Sequence, residues 1–326
     1  MKKIVMYLSF VAVLVSCNHK NAASDWEEKS NSLEFDSIVS LNTYPVIIKE
    51  VMDIKEWNII DTILICRNRG DHPSYYVFNT TNFQVIGEFG RTGNGENEWI
   101  SPHLIPRDES VYTVIDNVRL GIYDVVKKDS LYAIQKKKDL VAQIPLNSVK
   151  PVSSSAFAYI THSPKEVSWK IADIETLASV DSLSFSDSDE NRNALLRDFS
   201  YGVTDDHAVF AFQRIDRFMI SSLSDSHHVI PGLIMQGDGD DKNRKDVYYT
   251  DVICRDYIYL LSQRDVRTSE LSGTSSIEVY DYDGNPVRKI SIDIIASEMV
   301  YDPINKRVIF RTPMDNDFHV LDYAFE

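Results

Sequence analysis

With 326 residues, 43% of them hydrophobic, the chain carries enough apolar side chain for a buried core, which excludes wholesale disorder. Its 17 Tyr and 14 Phe, against 12 Gly and 11 Pro, favour strands, whose pleated faces suit aromatic and β-branched side chains. A net charge of −15 repels phosphate backbones and argues against nucleic acid as a partner.

The first residues, MKKIVMYLSFVAVLVSC, have a basic start at Lys2 and Lys3 and an apolar run from Ile4 to Val15. About twelve apolar residues are too few to cross a ~30 Å hydrocarbon layer as a mature helix. Leu14-Val15-Ser16-Cys17 resembles a bacterial lipobox, so residues 1–16 are expected as a lipoprotein signal peptide and Cys17 as the lipidated residue. An ordinary secretory signal with a chance cysteine is the alternative. Removal of residues 1–16 takes Lys2 and Lys3 with it and leaves a charge of −17. Residues 17–32, polar and without periodicity, read as a flexible tether of roughly 50 Å at full extension. The membrane is then a partner through the lipid anchor, and the cell envelope the expected location, as an outer-membrane lipoprotein on either face.

From residue 33 to 326 short β-rich runs are broken by Asp, Asn, Ser and Gly turns. Only DENRNALLRDF, residues 189–199, suggests a short helical turn. Six runs share one plan, an apolar strand ending at a turn-opening residue and then a second strand. The turn openers are Asn79, Asp124, Asp173, Ser222, Asp281 and Asp322, spaced by 45, 49, 49, 59 and 41 residues. Side chains of this type bond nearby backbone groups in turns. A β unit recurring every 40 to 50 residues is the signature of propeller blades. Upstream of each turn lies a further strand, such as IIDTILICR or DYIYLLSQR. The sixth unit stops at FHVLDYAFE without an outermost strand, while residues 32–51 supply β material early in the chain. The fold expected is therefore all-β, a six-bladed β-propeller in which the N-terminal strand closes the last blade and protects its edge.

The stretch GEFGRTGNGENEWISPHLI, residues 87–105, poses a choice between a phosphate loop and a structural crossing. A phosphate loop needs a helix after its glycines, and residues 96–106 contain Pro102 and Pro106 and no helical period. Neither G-x-G-x-x-G nor Gly-Lys-Ser/Thr is present. The structural reading is a connection from the rim of one blade to the inner strand of the next, with Gly90, Gly93 and Gly95 permitting sharp turns. This connection, ending in Glu, an aromatic and Pro, resembles that of NHL-type repeats. Together with the lipobox and acidic composition, it resembles the six-bladed, TolB-like propeller lipoproteins of Bacteroidota. The resemblance spans essentially the whole mature chain and implies a fold and an envelope location; it carries over little chemistry.

The chain offers few motifs for catalysis. None of the histidines forms H-x-H, H-E-x-x-H or a Cys/His metal spacing, and no G-x-S-x-G elbow occurs. DGDDKNRK, residues 238–245, fails the EF-hand pattern because Lys242 and Asn243 fall where a ligand and glycine are needed. No metal or other cofactor is assigned; calcium is possible without motif support. Cys66 and Cys254, far apart in sequence, read as buried small hydrophobes. Glu298 and Asp251 are candidate axial groups by repeat position alone.

Function in propellers concentrates on loops that the rigid sheets position. Arg91, Asn94, Glu98, Trp99 and His103 are the candidate ligand-binding residues, against ordinary inter-blade packing with Trp99 as a wedge. The expectation is a non-catalytic binding module for a peptide, glycan or protein partner. The alternatives are a calcium-dependent lactonase-like or other hydrolase using the central channel, and a structural component of an outer-membrane complex.

Overall fold

The computed structural model describes residues 26–325 except 32, 52, 70–72, 96–97, 109, 130, 164–165, 186–194, 238–246, 268–269 and 271. All named elements are strands. Three come before the first blade: β1 (Glu27–Ser30), β2 (Ser37–Leu41) and β3 (Tyr44–Val46). Blade 1 is β4 (Ile54–Ile60), β5 (Ile63–Asn68), β6 (Tyr75–Asn79) and β7 (Val85–Phe89). The crossing to blade 2 contains the short parallel pair β8 (Arg91–Thr92) and β9 (Glu98–Trp99). Blade 2 is β10 (Pro102–Pro106), β11 (Val111–Asp116), β12 (Gly121–Lys128) and β13 (Leu131–Asp139). Blade 3 is β14 (Asn147–Pro151), β15 (Ala156–His162), β16 (Val167–Asp173) and β17 (Ser179–Phe185). Blade 4 is β18 (Phe199–Val203), β19 (His207–Phe212), β20 (Arg217–Leu223) and β21 (Val229–Gln236). Blade 5 is β22 (Tyr249–Cys254), β23 (Ile258–Ser262), β24 (Ser276–Tyr280) and β25 (Pro286–Ile292). Blade 6 contributes β26 (Glu298–Asp302), β27 (Arg307–Arg311) and β28 (Phe318–Leu321), and its fourth strand is β3.

The ring is a six-bladed propeller closed by an N-terminal strand, and its core lies between blades. The six buried clusters correspond to the six blade–blade interfaces. Between blades 6 and 1, Phe318 packs near Trp57, Phe78 and Phe83, at ring-centre distances of 5.8, 6.0 and 5.9 Å. Closure is also held by side chains. Asp293 accepts from Thr43 N and Oγ1 at 2.8 and 2.9 Å, and Asp317 accepts from Ile48 N at 3.2 Å.

The N-terminal segment does more than close blade 6. Glu27–Ser30, at the end of the stretch expected as tether, pair parallel to β21 as a fifth strand of blade 4. Ser37–Leu41 pair parallel to β25 as a fifth strand of blade 5. The polar side chains of β1 gave no periodic signal, because its pairing uses the backbone and leaves the strand wholly exposed, whereas β2 packs Val39 and Leu41 on the blade 5–6 cluster.

The turn openers divide. Asn79 Oδ1 accepts from Thr81 N at 2.8 Å, Asp173 Oδ1 from Thr176 N at 2.7 Å, and Asp281 Oδ1 from Asp283 N at 3.0 Å. Asp124, by contrast, lies inside β12, opposite Thr113 and Gln135. Its carboxylate is tolerated mid-strand because Lys137 Nζ stands 3.8 Å away, and the turn comes later, at Asp129 with φ 55°. Ser222 likewise lies within β20.

Candidate functional site: the axial channel

In each blade the chain runs outward as an antiparallel meander. Every inner strand therefore starts on one face, here the upper face, where the blade-to-blade crossings also arrive. The inner strands surround a channel of about 700 Å³. Toward the upper end its wall is polar, with Glu56, Arg67, His103, Asp251 and Glu298, and Lys150 reaches Asp251 from farther down blade 3. The last positions of the inner strands give Ile59, Val203, Ile253 and Tyr301, so the lower end is more apolar, with Arg255 beside it.

Two of the three carboxylates are paired with cations. Lys150 Nζ, from blade 3, reaches Asp251 Oδ1 of blade 5 at 3.3 Å and stands 5.4 Å from the centre of the Tyr201 ring. Asp251 also accepts from Val252 N at 2.8 Å and, across the blade boundary, from Met299 N at 3.0 Å. Arg311 Nη1 lies 3.0 Å from both oxygens of Glu298. Burial raises the Glu298 carboxyl above the usual range, Arg311 opposes that, and the Asp251 charge adds to the rise. Such pairs leave little net field in the channel from four charges.

Glu56 and Arg67 are different. Glu56 Oε1 accepts from Leu104 N at 3.1 Å, and its Oε2 lies 3.8 Å from His103 Nδ1. Burial pushes its carboxyl up to about 7, with Arg67 acting the other way. The His103 ring is pushed down to about 4, first by burial and then by the Arg67 charge. At neutral pH the imidazole is thus uncharged. Arg67 gives one N–H from Nη1 to Pro102 O. Among the described residues it makes no ion pair with Glu56.

Of the five residues proposed from the crossing, only His103 lines this channel. Trp99 has no exposed surface; its ring packs against Tyr75, Phe89 and Tyr123 with centres 6.1, 6.5 and 5.6 Å away. It is the wedge between blades 1 and 2. Glu98 is occupied by its own loop, accepting from Gly95 N at 2.6 Å. Arg119 holds the same loop through Gly95 O and Glu98 O. Gly90 has φ 74°, and a Cβ there would stand 2.2 Å from the Trp99 ring, so the glycine is required twice over. Arg91 and Asn94 are exposed, and Arg91 borders a separate crevice with Glu88, Gly90 and Ile134. The glycine stretch is therefore a structural crossing.

Glu298 and Asp251, named from repeat position, do reach the channel; Glu56, Arg67 and Lys150 were missed. Charged residues in a strand carry no sequence mark of which face they meet. The recurring Arg after an apolar second strand, in ILICR and VIFR, was the available signal: Arg311 ends its strand and Arg67 stands one residue before the end of its own.

Arg264 bonds both oxygens of Asp216 and reaches Glu278 Oε1 at 2.9 Å, joining blades 4 and 5 through a buried ion network. Cys66 and Cys254 are unpaired; Cys66 is buried as expected, whereas Cys254 is half-buried on the channel wall, where desolvation pushes its thiol up to about 12. Among the described residues no group of three or more His, Cys, Asp or Glu is placed to hold a metal ion. No described helix is long and apolar enough to cross a membrane. Cys17, His19, His72 and the 238–245 loop lie outside the described residues.

No family model matches the chain, and no curated protein matches it. Among solved structures, it is similar to a protein of Bacteroides fragilis whose name describes it as exported: 10% identity, TM-score 0.52, covering 87% of this chain and 98% of that one. It is also similar to the calcium-binding protein regucalcin of Agrobacterium tumefaciens: 11% identity, TM-score 0.55, covering 88% and 95%. At such identities the likeness is one of fold: this chain is a β-propeller.

Proposed function

We propose that this chain is a non-catalytic binding module, anchored at the cell envelope through a lipid on Cys17, whose polar channel receives part of a peptide, glycan or protein partner. One observation carries the reading. The channel is large enough for a small ligand or a projecting group. Its carboxylates Asp251 and Glu298 are bound by Lys150 and Arg311, which suits recognition better than proton transfer or metal ligation. The export implied by the name of the Bacteroides fragilis neighbour accords with an envelope location.

The hydrolytic alternative draws on the same two carboxylates, which come from adjacent blades, and on the calcium-binding description of regucalcin. A cation there would have to displace two resident cations. Crystals of residues 17–326 equilibrated with peptide and glycan libraries test the proposal. Ordered ligand in the channel supports it; calcium-dependent turnover, lost in Asp251→Asn, would replace it with the hydrolase. Globomycin-sensitive processing and loss of acylation in Cys17→Ala test the anchor.

A further inference from the structure

Resting on the channel as the binding site, we propose that Arg67 receives an anionic group of the ligand, a carboxylate, and that Glu56 is its built-in competitor, so that occupancy falls as pH rises. Around the channel Lys150–Asp251 and Arg311–Glu298 are satisfied pairs. Arg67 and Glu56 are left as a cation and a carboxyl group that line one wall without bonding to each other. Arg67 uses one N–H on Pro102 O, which fixes the guanidinium in the wall. Its other donors are available to a planar anion, the geometry in which Arg binds carboxylates best.

The groups facing Glu56 decide how it behaves. On its own strand Asn58 bonds it; from β5 it meets Arg67, and from β10 His103 and the Leu104 N–H. Tyr75 and Tyr201 also feel its charge, and burial holds both phenols well above their ordinary range, so they stay neutral. Asp116, which influences His103, is spent on loop N–H groups, including Ile100 N at 2.7 Å. Among the described residues named here, Glu56 is thus the group beside Arg67 whose charge changes near neutrality. With its proton on, Arg67 presents an uncompensated positive charge; with it off, an incoming carboxylate meets an internal rival. With the Glu56 carboxyl at about 7, the receptive form is nearly complete at pH 6 and scarce at pH 8.

The test uses acetate as probe, with acetamide as its uncharged counterpart, on residues 17–326 with the His103 ring observed by NMR. His103, at about 4, does not itself titrate between pH 6 and 8. Acetate is expected to shift the ring signal saturably at pH 6 and to bind about tenfold more weakly at pH 8, in step with the fraction of receptive protein. Glu56→Gln is expected to bind at pH 8 as the parent does at pH 6, and Arg67→Gln to lose binding while retaining its fold by circular dichroism. Equal acetate affinity at the two pH values, or Arg67→Gln binding like the parent, would overturn the inference. Ligand density in the channel away from Arg67 would sink it while leaving the binding-module reading intact; ligand density elsewhere would sink both.

Discussion

Blades 4 to 6 and blades 1 to 3 share one plan but not one boundary. The first group is wrapped by the N-terminal segment, which adds β1 to blade 4, β2 to blade 5 and the closing β3 to blade 6. Blades 1 to 3 are built only from consecutive strands and present β7, β13 and β17 as outer edges. An open edge invites pairing with another chain, and charge guards against it. β13 carries Lys136, Lys137 and Lys138, all on that edge. The wrapped half thus relies on distant sequence for protection, whereas blade 2 protects its own edge locally. The channel draws on both, since Glu56, His103 and Lys150 come from blades 1 to 3 and Asp251 and Glu298 from blades 5 and 6.

That contrast makes graded predictions. The largest effect is expected from starting the chain at residue 47, which strips all three wrapping strands and opens blade 6. The melting temperature should fall by more than about 10 °C, corresponding to several kcal/mol at this chain length. Starting at residue 33 removes the exposed β1 together with Trp26, packed on the blade 3–4 cluster, and the buried Asn31, and should cost less because blades 5 and 6 keep their added strands. If both truncations melt alike, the wrapped half is not stabilised strand by strand.

On the unwrapped side Trp99→Ala should cost about 3–5 kcal/mol in urea unfolding, because the fully buried ring fills the blade 1–2 interface and the site cannot collapse around it. Gly90→Ala should destabilise by about 2 kcal/mol or more, since both its φ and the nearby Trp99 ring oppose a methyl group.

Glu56 and His103 give opposed pH dependences in that same half. Glu56 folds with its carboxyl near 7 rather than 4.5, so the native state holds the extra proton and this contribution to stability declines as pH rises from about 4.5 to 7. His103 folds with its ring near 4 rather than 6.5, so its contribution is present above about 6.5 and lost as pH falls toward 4. Each is worth on the order of 3 kcal/mol over its window. Between pH 5 and 6 they nearly cancel. Chemical unfolding across pH should therefore show stability rising with pH in Glu56→Gln and falling with pH in His103→Gln. Parallel profiles for the two variants would contradict the opposed assignment. Smallest of all, Arg91→Ala and Asn94→Ala should change stability by less than about 0.5 kcal/mol, both side chains being exposed on the crossing.

The sequence disclosed the repeat because three turn openers, Asn79, Asp173 and Asp281, write their hydrogen-bonding role into residue type. Other positions in those turns were silent. Phe83 and Leu177 take φ of 56° and 58° in the turns that Asn79 and Asp173 open, where glycine or asparagine would have been the recognisable choice. The wrapping strand EEKS was unreadable because its pairing depends on backbone alone. At the channel, position in the repeat found Asp251 and Glu298, while Lys150 required the through-space meeting of blades that are far apart in sequence. Trp99 misled for the opposite reason: an aromatic beside charges resembles a binding surface, and burial makes it a wedge.

The most direct test of a ligand-receiving channel is an electron-density map of residues 17–326 crystallised after exposure to peptide and glycan libraries. The account predicts ordered ligand between the inner strands, in contact with Arg67 on the blade 1 wall. Ligand found only on the outer edges or lower turns, with the channel holding solvent alone, would contradict it.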